Sequence, residues 1–202
     1  MSESENVDDA VAIASTRRWI ERAVIGLNLC PFARAPFAQQ RVRLQVSHAR
    51  DTAALLEDLR SEACLLSETD PQIIETSLLI HPHVLDDFLD YNDFLDSAEA
   101  LLRELDLDGE LQIASFHPRY QFADSDIDAV ENCTNRSPYP ILHLLRESSV
   151  EVAVAAISEP DAIYRRNIET LRRLGNAGWT ALMADFDAPT RPADIPDSRQ
   201  KG

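Results

Sequence analysis

The chain has 202 residues, 45% of them hydrophobic, which suits one domain with a sizeable core. Asp and Glu number 35 against 19 Lys and Arg, and the resulting formal charge of −16 disfavours nucleic acid and anionic lipid surfaces as partners. There is no basic-then-apolar leader and no apolar run near the roughly 18 residues a membrane span needs, and the three cysteines are an odd set without paired spacing, so a cytoplasmic protein with reduced thiols is expected.

Residues 1–9 are acidic and read as disordered. Ser15-Thr16 then offers a cap for an amphipathic helix with Trp19, Ile20, Ala23, Val24 and Leu27 on one face. Beyond Pro31 and Pro36, Val42 to Val46 alternates as a half-buried strand, and Asp51 to Leu66 returns to helical spacing. Thr76 to Ile80 reads as a second strand, Leu85 to Leu105 as a long helix, and Leu111 to Phe116 as a third strand. Two further helices are expected, from Tyr139 to about Ile157 and from Pro160 to Leu174, the latter closed by Gly175 as a left-handed cap. The Pro- and Asp-rich tail over 185–202 reads as a flexible arm.

This order predicts an α/β fold: one layered domain over 10–184 with a small, mostly parallel sheet, a β-α-β-α-β core, flanked by helices. In such a sheet sites cluster beyond the carboxyl ends of strands, where His81 and His117 fall.

The densest polar stretch is 117–147. Its two Pro-studded runs, HPRYQF and NCTNRSPYP, concentrate His, Arg, Asn and Tyr groups that need defined partners wherever they are buried. His117, held by Pro118 at a strand exit, suits a general base or a ligand donor beside Arg119 and Tyr120, or else a strand-end histidine bonded to the 132–137 loop. In the expected late helix, His143 stands three residues before Arg146 and four before Glu147. A carboxylate at that spacing can orient an imidazole, and the same pattern also describes a solvated face. Arg119, Arg136 and Arg146 carry forks suited to carboxylate or phosphate, with Asn135 beside them, though nearby acids compete for each.

Cys30 sits in NLCPFAR. If Pro31 opens a helical turn, free amides and Arg34 favour a thiolate; if Cys30 merely ends the preceding helix, it is a small buried hydrophobe with a raised pKa. His81-Pro82-His83 with Asp86 and Asp87 lacks a further ligand at a standard spacing, so neither a metal nor another cofactor is expected.

Three motifs, WIERAVIGLNLCPFAR, FHPRYQF and NRSPYPILHLLRE, with IYRRNIETLRRLG beyond them, together resemble the domain of unknown function 1415 family over residues 16–175. The resemblance implies that these positions share one domain. It implies no reaction and no catalytic residue, and His83 and the acidic tail lie outside its pattern.

The resulting expectation is an enzyme acting on a small anionic molecule. Cys30 or His117 would be the reactive group, His143 with Glu147 the acid–base support, and Arg34, Arg119, Tyr120, Asn135, Arg136 and Arg146 the ligand-binding groups. The alternatives are a non-catalytic metabolite-binding or regulatory module using the same residues, and a purely structural polar network. Nothing in the sequence sets the oligomeric state.

Overall fold

Four strands form one mixed sheet in the order β1-β2-β4-β3, with β1 Val42–Val46, β2 Thr76–Ile80, β3 Leu111–Phe116 and β4 Ile141–Arg146. The computed structural model describes residues 7–155, 161–184 and 186. Helices α1 (Asp9–Trp19), α2 (Arg34–Ala38), α3 (Thr52–Glu68), α4 (Phe88–Glu104), α5 (Glu147–Ala155) and α6 (Asp161–Ala184) complete an α/β fold.

The sheet is not mostly parallel. Only β1 and β2 pair parallel, whereas β4 runs antiparallel to both β2 and β3. The three strands expected from sequence do run in one direction, but a fourth lies between the second and the third. That strand is Ile141–Arg146, which was expected to be helical. Its residues are buried on both sheet faces, and a continuous apolar run of this length does not distinguish a central strand from a buried helix. Helix α5 starts only at Glu147.

Strand alternation sorts the core into two layers. Leu79, Leu111, Leu142 and Leu144 face α3 and α4, where Leu55, Leu59, Tyr91 and Phe94 close the first core. Leu78, Ile80 and Ile141 face the opposite way, onto Trp19, Ile20, Leu171 and Trp179. Side chains of Asp8, Asp51 and Asp87 accept from the first free amides of α1, α3 and α4 at 2.7–2.9 Å, each cap contributing about 1 kcal/mol.

Ser15 and Thr16 are not a helix cap. They are buried inside α1, and the Ser15 hydroxyl donates to Phe186 O at 2.9 Å. Gly175 has φ 67°, as a left-handed position requires, yet the chain kinks there and continues helically to Ala184. Of residues 1–9, expected to be disordered, Asp8 caps α1 and Asp9 begins it; residues 1–6, the boundaries within 156–160 and all of the expected tail except Phe186 lie outside the described residues.

Candidate functional site

A cavity of about 580 Å³ lies on the α1 side of the sheet, toward the starts of β1, β2 and β3. Its floor is built by alternation: Val42 from β1, Thr76 and Leu78 from β2, His143 and Leu145 from β4, and Gln112, Ala114 and Phe116 from β3. Register places Leu78 opposite His143 and His143 opposite Ala114, so these side chains share one face. One wall is Trp19, Ile20 and Val24 with the turn Cys30–Ala33; the other is Ser149, Val150, Val152 and Ala153 of α5.

The cysteine turn is shaped by a wide helical segment. Residues Ile20–Ile25 form a π-helical turn continuous with α1, a distortion common at functional sites. Gly26 follows it, where any Cβ would collide with the Arg22 carbonyl. Asn28 then takes φ 56°, and Val24 O accepts from Leu29 N at 2.9 Å and Cys30 N at 3.3 Å. These bonds turn Cys30 back toward the sheet. Trp19 fixes the wall above it, donating Nε1 to Arg136 O at 3.0 Å and meeting Phe116 edge-on at 5.2 Å.

Burial pushes the Cys30 thiol pKa up, against the opposing pull of backbone amides at Phe32 and Ala33. The resting group is therefore a thiol. Arg34 is exposed and directs Nη2 to Ile25 O at 3.5 Å; α2 begins at Arg34 itself, so Cys30 is not its cap.

His143 Nε2 lies 2.7 Å from Thr76 Oγ1, and that hydroxyl donates to Leu144 O at 2.6 Å. With its one proton used there, Thr76 accepts from His143, which fixes the Nε2–H tautomer and leaves Nδ1 as an acceptor. Burial lowers the His143 pKa to about 4, so the ring is neutral near pH 7. Arg146 and Glu147 do not share its face: a helix would align 143, 146 and 147, but in β4 side chains alternate, and Glu147 already starts α5.

Apart from Arg146, the remaining expected residues do not line this cavity. His117 is fully buried; Nδ1 accepts from Arg119 N at 3.0 Å and Nε2 donates to Leu85 O at 3.2 Å, so both nitrogens serve the backbone. It packs with Phe88 and with Tyr91, whose hydroxyl donates to Ile141 O and accepts from Phe116 N. Tyr120 meets Phe88 at a tilt and Phe122 edge-on. Arg119 is exposed, with Nη2 to Asp86 O and Asp87 within 3.8 Å. Arg136 donates to Tyr120 O at 3.2 Å and Ile127 O at 2.8 Å, and Asn135 donates to Ser115 O at 3.0 Å. Arg146 borders the cavity by its place at the end of β4, but it pairs with Leu111 on the α3 and α4 side, where its Nη2 donates to Leu66 O and Thr69 O at 2.5 Å.

Sequence reasoning passed over Arg41, Glu75 and Thr76, which line the cavity at the starts of β1 and β2. Each is an ordinary strand-flanking residue, and their one shared signal is position at the starts of two strands expected to pair. Arg41 forms an ion pair with Glu75 and donates to Pro71 O at 3.1 Å. Among the described residues, no cluster of three or more His, Cys, Asp or Glu side chains is arranged to hold a metal ion.

A sheet covered on both faces and a lined cavity at its strand starts define an α/β protein with a candidate small-molecule site there. The chain belongs to the family described as protein of unknown function (DUF1415), matched over residues 11–181. No curated protein and no solved structure matches it. Among the described residues no helix is long and apolar enough to cross a membrane.

Proposed function

We propose that the protein binds a small, largely apolar molecule in the cavity between the cysteine turn, the sheet and α5, with the Cys30 thiol and His143 Nδ1 as its polar contacts. The observation that carries this is the meeting of Cys30 and His143, 113 residues apart in sequence, in one hollow of about 580 Å³. Known ligand sites span roughly 300–1,000 Å³, with apolar walls and a few placed polar groups. The free thiols Cys30, Cys64 and Cys133 favour a reducing, cytoplasmic setting.

Binding is favoured over thiolate catalysis because burial raises the Cys30 thiol pKa and lowers that of the His143 imidazole to about 4. Both shifts oppose moving the Cys30 proton to His143 in the empty site. A second reading, an enzyme in which ligand binding activates Cys30, draws support from the Phe32 and Ala33 amides at the sulfur, which favour its anion.

Incubation with a pool of small metabolites tests both. Binding raises Tm and returns the bound compound chemically unchanged by mass spectrometry. Ala114→Phe, which builds a ring into the floor, abolishes that shift. Conversion of the bound compound, lost in Cys30→Ser, would favour the enzyme. A pool that never shifts Tm would sink both.

A further inference from the structure

The cavity walls are largely apolar, with Trp19, Phe32, Leu78, Phe116 and Val150, and the polar groups that face it carry no net charge. Arg41 and Glu75 pair with each other at its edge, and the rest of the Arg41 fork goes to Pro71 O and Gln39. The Arg146 guanidinium lies on the α3 side of the sheet, bonded to Leu66 O, Thr69 O and Ile74 O. Cys30 rests as a thiol and His143 as a neutral imidazole. An ion entering this hollow would lose its water without meeting an unpaired counter-charge, so an uncharged occupant is favoured.

One polar group in this lining is held in a fixed state. His143 donates Nε2–H to Thr76 Oγ1 at 2.7 Å, because the Thr76 proton is spent on Leu144 O at 2.6 Å. The Nδ1 lone pair has no donor among the described residues. Phe116 meets the imidazole at 6.0 Å and is itself met edge-on by Trp19 at 5.2 Å, so aromatic carbon borders the ring. An apolar occupant without a donor would cover the lone pair and leave it unsatisfied. A locked tautomer therefore distinguishes a hydrogen-bond donor from an acceptor of similar shape.

We propose that the occupant is an uncharged phenol-like molecule, its hydroxyl donating to His143 Nδ1 and its ring lying among Trp19, Phe32 and Phe116. Thr76 is then a positioning residue: by holding the imidazole tautomer it sets the preference for a donor. This ligand class rests on the cavity being a binding site. A phenol titrates near pH 10, so at neutral pH it keeps its proton and donates without bringing a charge.

Calorimetric titration of the full chain at neutral pH with para-ethylphenol, para-ethylanisole and para-ethylbenzoate tests this. The phenol is expected to bind about tenfold tighter than the anisole, which has a similar shape but no donor, and than the charged benzoate. In Thr76→Val the ring is free to carry its proton on Nδ1, so the phenol-to-anisole ratio should fall toward one. Thr76→Ser keeps the acceptor and should keep the ratio. A structural role alone would lower all three affinities together and leave the ratio unchanged in Thr76→Val, which overturns Thr76 as the positioning residue. If Thr76→Val does not fold, the ¹⁵N resonance of His143 Nδ1 in the wild type decides: the phenol should shift it and the anisole should not. Anisole or benzoate binding as tightly as the phenol overturns the ligand class but leaves the cavity a binding site. No binding of any probe at millimolar concentration overturns both, and phenol binding that survives Ala114→Phe lies elsewhere and overturns the assignment.

Discussion

Thr76 Oγ1 and His143 Nε2 lie 2.7 Å apart, from a strand-start position on β2 to a diagonal neighbour on β4. Because the same hydroxyl donates to Leu144 O, the pair sets which imidazole nitrogen carries the proton. Thr76→Val keeps the shape and deletes the acceptor. It should destabilise the fold by about 1–3 kcal/mol through the stranded Nε2–H, lowering Tm by roughly 2–4 °C per kcal/mol. Calorimetry checks the stability and ¹⁵N chemical shifts of the wild-type ring check the tautomer; a wild-type His143 protonated at Nδ1 would contradict the assignment.

Acid should weaken this protein before its carboxylates titrate. Burial lowers the pKa of both His143 and His81 to about 4, and that of His117 in the same direction. An unfolded histidine titrates near 6.5, so below that pH the unfolded chain binds more protons than the folded one. Stability is therefore full above about pH 6.5 and falls as pH drops toward 4. By pH 5 the loss is on the order of 2 kcal/mol for each of His143 and His81. Urea midpoints at pH 7 and pH 5 measure this, and His143→Gln should flatten the slope by one proton. Equal midpoints at both pH values would rule the effect out.

Cys30 should behave as an ordinary or sluggish thiol in the empty protein, since burial raises its pKa. Iodoacetamide at pH 7.5 should label it more slowly than an unstructured cysteine peptide, with the rate climbing through pH 9. Peptide mapping by mass spectrometry follows Cys30, Cys64 and Cys133 together. Rapid trapping of Cys30 far ahead of the other two at neutral pH would restore the thiolate.

The polar run over 117–137 is a loop lock. Asn132 is fully buried; Oδ1 accepts from Phe122 N at 3.0 Å and Ser125 Oγ at 2.6 Å, and Nδ2 donates to Asp126 O at 2.9 Å. Arg136 clamps the same loop through the carbonyls of Tyr120 and Ile127. Asn132→Ala and Arg136→Ala should each cost about 2 kcal/mol, and Arg136→Lys should not restore stability because an ammonium cannot span two carbonyls as a fork does. Urea denaturation measures the loss. Wild-type stability combined with loss of ligand binding would place these residues in a recognition site instead.

Local pattern carried the first three strands and their intervening helices, because short apolar runs bounded by turn residues separate two segments, α3 and α4, that present clear apolar faces. It failed at Ile141-Leu142-His143-Leu144-Leu145. Leu is a good helix former, and burial on both faces erased the alternation that marks a strand. That one misreading moved Arg146 and Glu147 onto the wrong face and hid the diagonal partnership with Thr76. Cys30 stood out because its Pro-flanked turn is unusual, whereas Arg41 and Glu75 acquire meaning only from the parallel pairing of β1 with β2. The His and Arg groups of 117–137 were chemically conspicuous for a structural reason: a long buried-side loop must satisfy its backbone.

The strand order has a consequence for synthesis. As the chain leaves the ribosome, β3 is made before β4 yet must settle at the far edge of the sheet, leaving a one-strand gap beside β2. Until residues 141–146 emerge and slot in, both bordering strands present unpaired backbone to other nascent chains. The last strand to arrive also carries His143, so the cavity and a continuous sheet come into being in the same step.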